Sequence, residues 1–104
     1  MIELDDARQE MLWRCLNYIG ESGKVSRYNL RHFMHMQHKR WLGNYTSKHF
    51  IMVMESFGVV KILSRLDTGI TYQSIEITNK GLKFLEDCKL SPEIAWITLK
   101  GEKR

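Results

Sequence analysis

Along the first fifth of the chain, apolar residues recur at Ala7, Met11, Leu12, Cys15, Leu16 and Ile19, which is one face of an α-helix. Asp5 and Asp6 precede this stripe, and Gln9 stands three residues after Asp6 as in a capping box. Gly20 and Gly23 close the pattern, so a helix is predicted over 6–19. Trp13 and Tyr18 fall at the edges of the stripe, placed to face a second subunit. Ser26 suits the N-cap of a second helix over 26–38, with Leu30, Phe33 and Met34 on its apolar side and Arg27, Arg31, His32, His35 and His38 on the other. The run His38–Asn44 breaks the periodicity and reads as a connector, longer than the turn of about 3–4 residues that joins a tight helix pair.

Thr46 is expected to cap a third helix over 46–57. Phe50, Ile51, Met54 and Phe57 fall on one side of it, and Lys48, His49, Met52, Glu55 and Ser56 on the opposite one. Gly58 supplies the stop. Val59–Ser64 is β-branched and apolar, Asp67-Thr68-Gly69 is a turn signal, and Ile70–Thr78 returns, which predicts a hairpin over 59–78. The returning strand changes its apolar phase between Tyr72 and Ile75, so a bulge or a twist is expected there. Thr78 caps a fourth helix over 79–89, with Leu82, Leu85 and Cys88 inward and Phe84 beside them. Ser91-Pro92-Glu93 opens a last helix over 92–99 that carries Trp96, with a strand as the other reading. The fold class is mainly α with a small β-hairpin (α+β), in a single domain spanning 1–104.

Composition narrows the function without choosing it. Of 104 residues 43% are hydrophobic and 27% charged, enough for a core and too mixed for a disordered chain. The net charge of +4 fits a polyanionic partner but does not demand one. No apolar run reaches the roughly 18–20 residues of a membrane span, and the acidic start is unlike a signal peptide, so a soluble, cytoplasmic protein is expected. Cys15 and Cys88 lie far apart without a CxxC pair. They read as two buried apolar thiols or, in an oxidising compartment, as a disulfide between the first and fourth helices.

Catalytic signatures are missing: the chain has no G-x-S-x-G, P-loop or H-E-x-x-H, and Asp67-Thr68-Gly69 reads as a hairpin turn. The expectation is a non-enzyme with no cofactor and no small-molecule ligand. His32, His35 and His38 are spaced by three, but the outer two diverge by about 120° around a helix and no carboxylate or thiol shares their turn. Cationic histidines beside phosphates are the better reading, and would tighten binding as pH falls.

The third helix is the candidate DNA reader, with Thr46, Ser47, Lys48, His49 and Met52 offered to base edges. A solvated helix face is the competing account, and the hairpin that follows moves the balance toward DNA. Near the hairpin tip stand Lys61, Arg65, Asp67 and Thr71. Arg65 is placed for phosphate or the minor groove, while Asp67 partly cancels its charge. More of the positive charge sits upstream, on Arg27, Arg31, Lys39, Arg40 and Lys48, interleaved with Tyr28, Trp41 and Tyr45. Affinity is assigned to Arg27, Arg31, Arg40, Lys61 and Arg65.

From Ile75 to Leu85 the chain resembles the strand-to-helix end of small winged helix-turn-helix DNA-binding proteins of archaea and their viruses. Its Ile77-Thr78-Asn79-Lys80-Gly81-Leu82-Lys83-Phe84-Leu85 matches an I-T-x-K-G-x-x-F-L run. Phe50, Ile51 and Met54, with the Phe57-Gly58-Val59-Val60 corner, match the recognition helix and its turn into the wing, so the resemblance covers about Asp6–Cys88. It implies a third helix in the major groove, a wing on the backbone, and dimers formed through terminal helices. The long connector and the short last helix depart from the pattern. Trp13, Tyr18, Phe84, Ile94, Trp96 and Ile97 offer a smaller dimer interface. The resulting expectation is a homodimeric, nucleoid-associated transcriptional regulator of an archaeon, its virus or plasmid, bound to double-stranded DNA. The alternatives are a winged-helix module that binds protein within a replication or transcription assembly, for which Met52 with Glu55 would serve, and a histidine-based metal sensor.

Overall fold

The structure, a computed structural model, describes residues 6–37 and 44–101, with the side chains of 44–46 left outside. Its elements run α1 (Asp6–Ser22), β1 (Lys24–Ser26), α2 (Arg27–Gln37), α3 (Asn44–Ser56), β2 (Val60–Asp67), β3 (Ile70–Ile77), α4 (Asn79–Leu90) and α5 (Pro92–Gly101). The three strands form one antiparallel sheet in the order β1-β3-β2.

The α1 stripe is buried from Met11 through Ile19, where it meets Leu30 and Met34 of α2, Phe50, Ile51 and Met54 of α3, Val59, Val60, Ile75 and Phe84. Ala7 stays exposed, so the stripe starts one turn later than its spacing predicts. The helix also passes Gly20 and stops at Gly23, whose φ of +83° is readily adopted only by glycine. On α2, Ser26 is the cap, its Oγ accepting the Asn29 N–H at 3.0 Å. α3 begins at Asn44, which places Thr46 inside its first turn and not at the cap; the expected connector from His38 to Gly43 lies outside the described residues.

Gly58, at φ +80°, turns α3 into β2. Thr78 then locks this corner to α4. Its hydroxyl donates to the Gly58 carbonyl at 2.6 Å and accepts the Gly81 N–H at 3.1 Å, and its own N–H donates to the Val59 carbonyl at 3.0 Å. α4 enters so closely that a Cβ on Gly81 would stand 2.4 Å from the Val59 carbonyl oxygen. That approach explains a correction on this helix. With Gly81 against the sheet, Phe84 one turn on is buried, whereas Leu82 points outward at 45% exposure and Leu85 and Cys88 are half-buried. The last segment is a helix, not a strand, with Ala95 and Leu99 inward.

The hairpin carries no bulge. Its register runs unbroken from Val60↔Ile77 to Asp67↔Ile70. The phase change is a change of environment: Ile62, Ile75 and Ile77 share the face turned to the core, while Leu63, Ile70 and Tyr72 share the other. β1, which the sequence reading lacked, pairs only with Ser74–Glu76, so among the described residues the hairpin has no third strand beside it from Gln73 to its tip. Among the described residues no helix is long and apolar enough to cross a membrane.

Candidate nucleic-acid interface

Three elements converge on one side of the molecule. The N-terminus of α2, the early turns of α3 and the returning hairpin strand border a cleft of about 690 Å³. Arg27, Tyr28 and Arg31 come from α2, Ser47 and Lys48 from α3, and Thr71, Tyr72 and Gln73 from β3. Lys48, His49 and Met52 are exposed together on α3, and Tyr28 projects beside them at 73% exposure.

Of the residues assigned to DNA from sequence, Arg27, Arg31 and Lys48 meet at this cleft, with His49 and Met52 on the adjoining surface. Ser47 borders the cleft but is only 2% exposed, because positions 47, 51 and 54 share the buried side of α3 with Phe50. Arg40 lies outside the described residues, as do Lys39, Trp41, His38 and the side chain of Thr46.

Arg27 has a structural partner: its Nη1 donates to Gln73 Oε1, and Gln73 Nε2 reaches Ser64 Oγ at 3.4 Å. This chain of contacts ties the hairpin to the start of α2. Lys61 sits opposite Glu76 in the ladder and pairs with it at 3.5 Å, which offsets its charge. Arg65 is exposed, with its guanidinium carbon 5.6 Å from the centre of the Tyr72 ring across the strand pair. Tyr72 and Gln73 line the cleft without having been singled out from sequence as contacts, and Tyr28 and Thr71 were noted only as neighbours of the basic residues. Counting outward from the Asp67-Thr68-Gly69 turn would have set Arg65 against Tyr72 and found the wall of the cleft.

A second groove, of about 800 Å³, lies between α1 and α5, where Trp13, Trp96, Ile97 and Pro92 are bordered by Asp6, Glu10 and Glu93. It contains part of the surface assigned to a partner subunit. Trp13, Ile94 and Ile97 are exposed. Two other residues are engaged within the fold, Tyr18 in part and Phe84 wholly. Tyr18 stacks on Phe33 with centroids 4.3 Å apart, and Phe84 is buried edge-on against Trp96 at 5.0 Å. Both thiols are free, Cys15 buried and Cys88 half-buried, so no disulfide joins α1 to α4.

No protein-family model matches the chain, and no curated protein matches its sequence. Among solved structures it is similar to a candidate transcriptional regulator from Thermoplasma acidophilum, with a TM-score of 0.66 and 20% identity over 91% of this chain and 93% of that one. The fold is a winged helix. α2 and α3 form its helix pair, β2 and β3 its wing, and β1 the short strand that anchors the wing to the body.

Proposed function

We propose that the protein is a sequence-specific double-stranded DNA-binding regulator that acts as a homodimer. The observation that carries this reading is the cleft itself. Side chains of both helices of the pair and of the wing converge there with Arg31, Lys48 and Tyr28 presented together, while the opposite side of each helix is spent on the core. The likeness to a candidate regulator supports it at the level of fold.

In this reading α3 enters the major groove with Lys48, His49 and Met52 toward base edges and Thr46 near its start, as an α-helix in that groove allows. Arg31, Arg40 and Arg65 meet phosphates, and Arg27 holds the wing in place for them. Lys61, paired with Glu76, adds little. The exposed apolar face of α1 and α5 joins two copies, which sets two α3 helices about one turn of DNA apart, roughly 34–36 Å. Occupancy of such a site blocks or recruits polymerase. Selection of bound sequences from a random DNA pool tests the reading: a palindromic consensus supports a symmetric dimer, and no enrichment contradicts sequence-specific binding.

A second reading, a module that docks on protein, is favoured by one observation: Met52 is 54% exposed at the centre of the reading face. Elution from a heparin or nonspecific DNA column at very low salt would favour it. Replacing Lys48 with Ala is expected to weaken specific binding by about 1–3 kcal/mol, and replacing Arg65 with Ala to weaken all sequences alike.

A further inference from the structure

The end of the wing carries two exposed aliphatic side chains beside the Asp67-Thr68-Gly69 turn, where a phosphate-gripping loop would be basic. Beyond the reach of β1 the hairpin is a bare two-stranded ribbon, and at its end Leu66 is 71% and Ile70 55% exposed. Between Ser64 and Gln73 the only charges are Arg65 and Asp67, which cancel. Lys61, nearer the body, is paired with Glu76. Net charge at this end is therefore close to zero, and Arg65 is the one cation there that could meet the backbone.

The register places the two side chains on different faces: Leu66 lies opposite Thr71, and Ile70 opposite Asp67 one step further out. Alternate positions of a strand point to opposite sides. The ribbon thus ends with one exposed aliphatic side chain on each face, Leu66 beside Thr71 on one and Ile70 beside Asp67 on the other, with Tyr72 behind Ile70. Such an end fits insertion between two walls better than flat docking on a protein surface, which would use one face and leave the other in water. It is also continuous with the cleft, since Thr71 and Tyr72 of the same strand line the wall facing Arg31 and Lys48. A duplex seated in the cleft with α3 in its major groove presents a neighbouring minor groove to the wing.

We propose that Leu66 and Ile70 form an apolar wedge that enters the minor groove, unstacks a base step and bends the DNA. Apolar side chains inserted this way kink a duplex by roughly 20–90°, most readily at flexible pyrimidine–purine steps. The inference rests on the DNA-binding reading above. Arg65, held over Tyr72 just behind the tip, meets the backbone at the mouth of the groove.

The test uses a duplex of about 30 base pairs, short beside the persistence length of DNA. It carries a fluorophore at each end and 2-aminopurine beside a central T-A step, and is titrated at low salt. The unaltered protein is expected to shorten the end-to-end distance and raise the 2-aminopurine emission. The double variant L66S/I70S is expected to bind about tenfold more weakly, from the lost apolar burial, and to leave the duplex straight. L66M/I70M, which keeps apolar bulk, is expected to retain the bend. Both variants change exposed positions, and matched far-ultraviolet spectra and melting confirm their folding. Binding without bending, or a bend unchanged in L66S/I70S, overturns the wedge and leaves DNA binding standing. Affinity and shape both indifferent to L66S/I70S would overturn the wedge and remove the tip from the DNA contact. No binding by the unaltered protein overturns the wedge together with the reading it rests on.

Discussion

Gly81 shows how one residue can settle the path of a helix. It lies where α4 passes the corner between α3 and β2, and any side chain there meets the Val59 carbonyl oxygen and the Ile77 side chain. Gly81→Ala is expected to cost about 1–3 kcal/mol through forced backbone displacement, read as a fall in the urea midpoint. Cys15 gives a second test at this scale. Burial pushes its thiol above its ordinary value of 9.0, so the folded state resists ionisation there. The sign follows: the unfolded chain loses this proton first, so the contribution to stability is complete below about pH 9 and is lost as pH rises beyond it. Thermal melting is expected to fall on going from pH 8 to pH 10. Thiol reagents should modify half-buried Cys88 well before Cys15. Ser47 shows how residue type and helix register can point in different directions. Its hydroxyl suggests a base contact, yet its position in register with Ile51 and Met54 puts it inside.

At the scale of elements, the pattern was legible wherever a local rule had one outcome. The α1 stripe, the Ser26 and Thr78 caps, the Gly58 stop and the Asp67-Thr68-Gly69 turn are each decided by neighbours within a few positions. What escaped was decided by contacts distant in sequence. β1 has only three residues, and nothing in Lys24-Val25-Ser26 marks a strand until β3 lies beside it. The orientation of α4 depends on the Val59 carbonyl. The apparent phase slip in β3 reflects two environments along one regular strand. The Arg27–Gln73 contact gives this scale its prediction, since it ties the wing to α2 across 46 positions of sequence. Gln73→Leu is expected to lower stability by about 1 kcal/mol and to speed amide exchange in β2 and β3 while leaving the helices protected.

For the molecule as a whole, the fold assigns its surfaces unequally. One side gathers α2, α3 and the wing around a cationic cleft. Another exposes tryptophan and isoleucine between α1 and α5, bordered by carboxylates. The sequence revealed that positive charge lies upstream of the hairpin, but not that Arg27 serves the wing or that Glu76 neutralises Lys61, because both facts depend on the ladder register. On the proposed DNA-binding reading, most of the electrostatic affinity is assigned to Arg31, Lys48 and Arg40, with the wing contributing shape. The central claim is that DNA occupies this cleft. Its most direct test is the salt dependence of DNA affinity, followed by fluorescence anisotropy, for the unaltered protein, for R31A/K48A, and for K83A on the far helix, where Lys83 pairs with Asp87 at 3.0 Å. The expected result is a steep fall of affinity with salt for the unaltered protein and K83A alike. R31A/K48A should bind at least about tenfold more weakly, with a slope reduced by about two for each protomer. Equal affinities and equal slopes for all three proteins would contradict the claim.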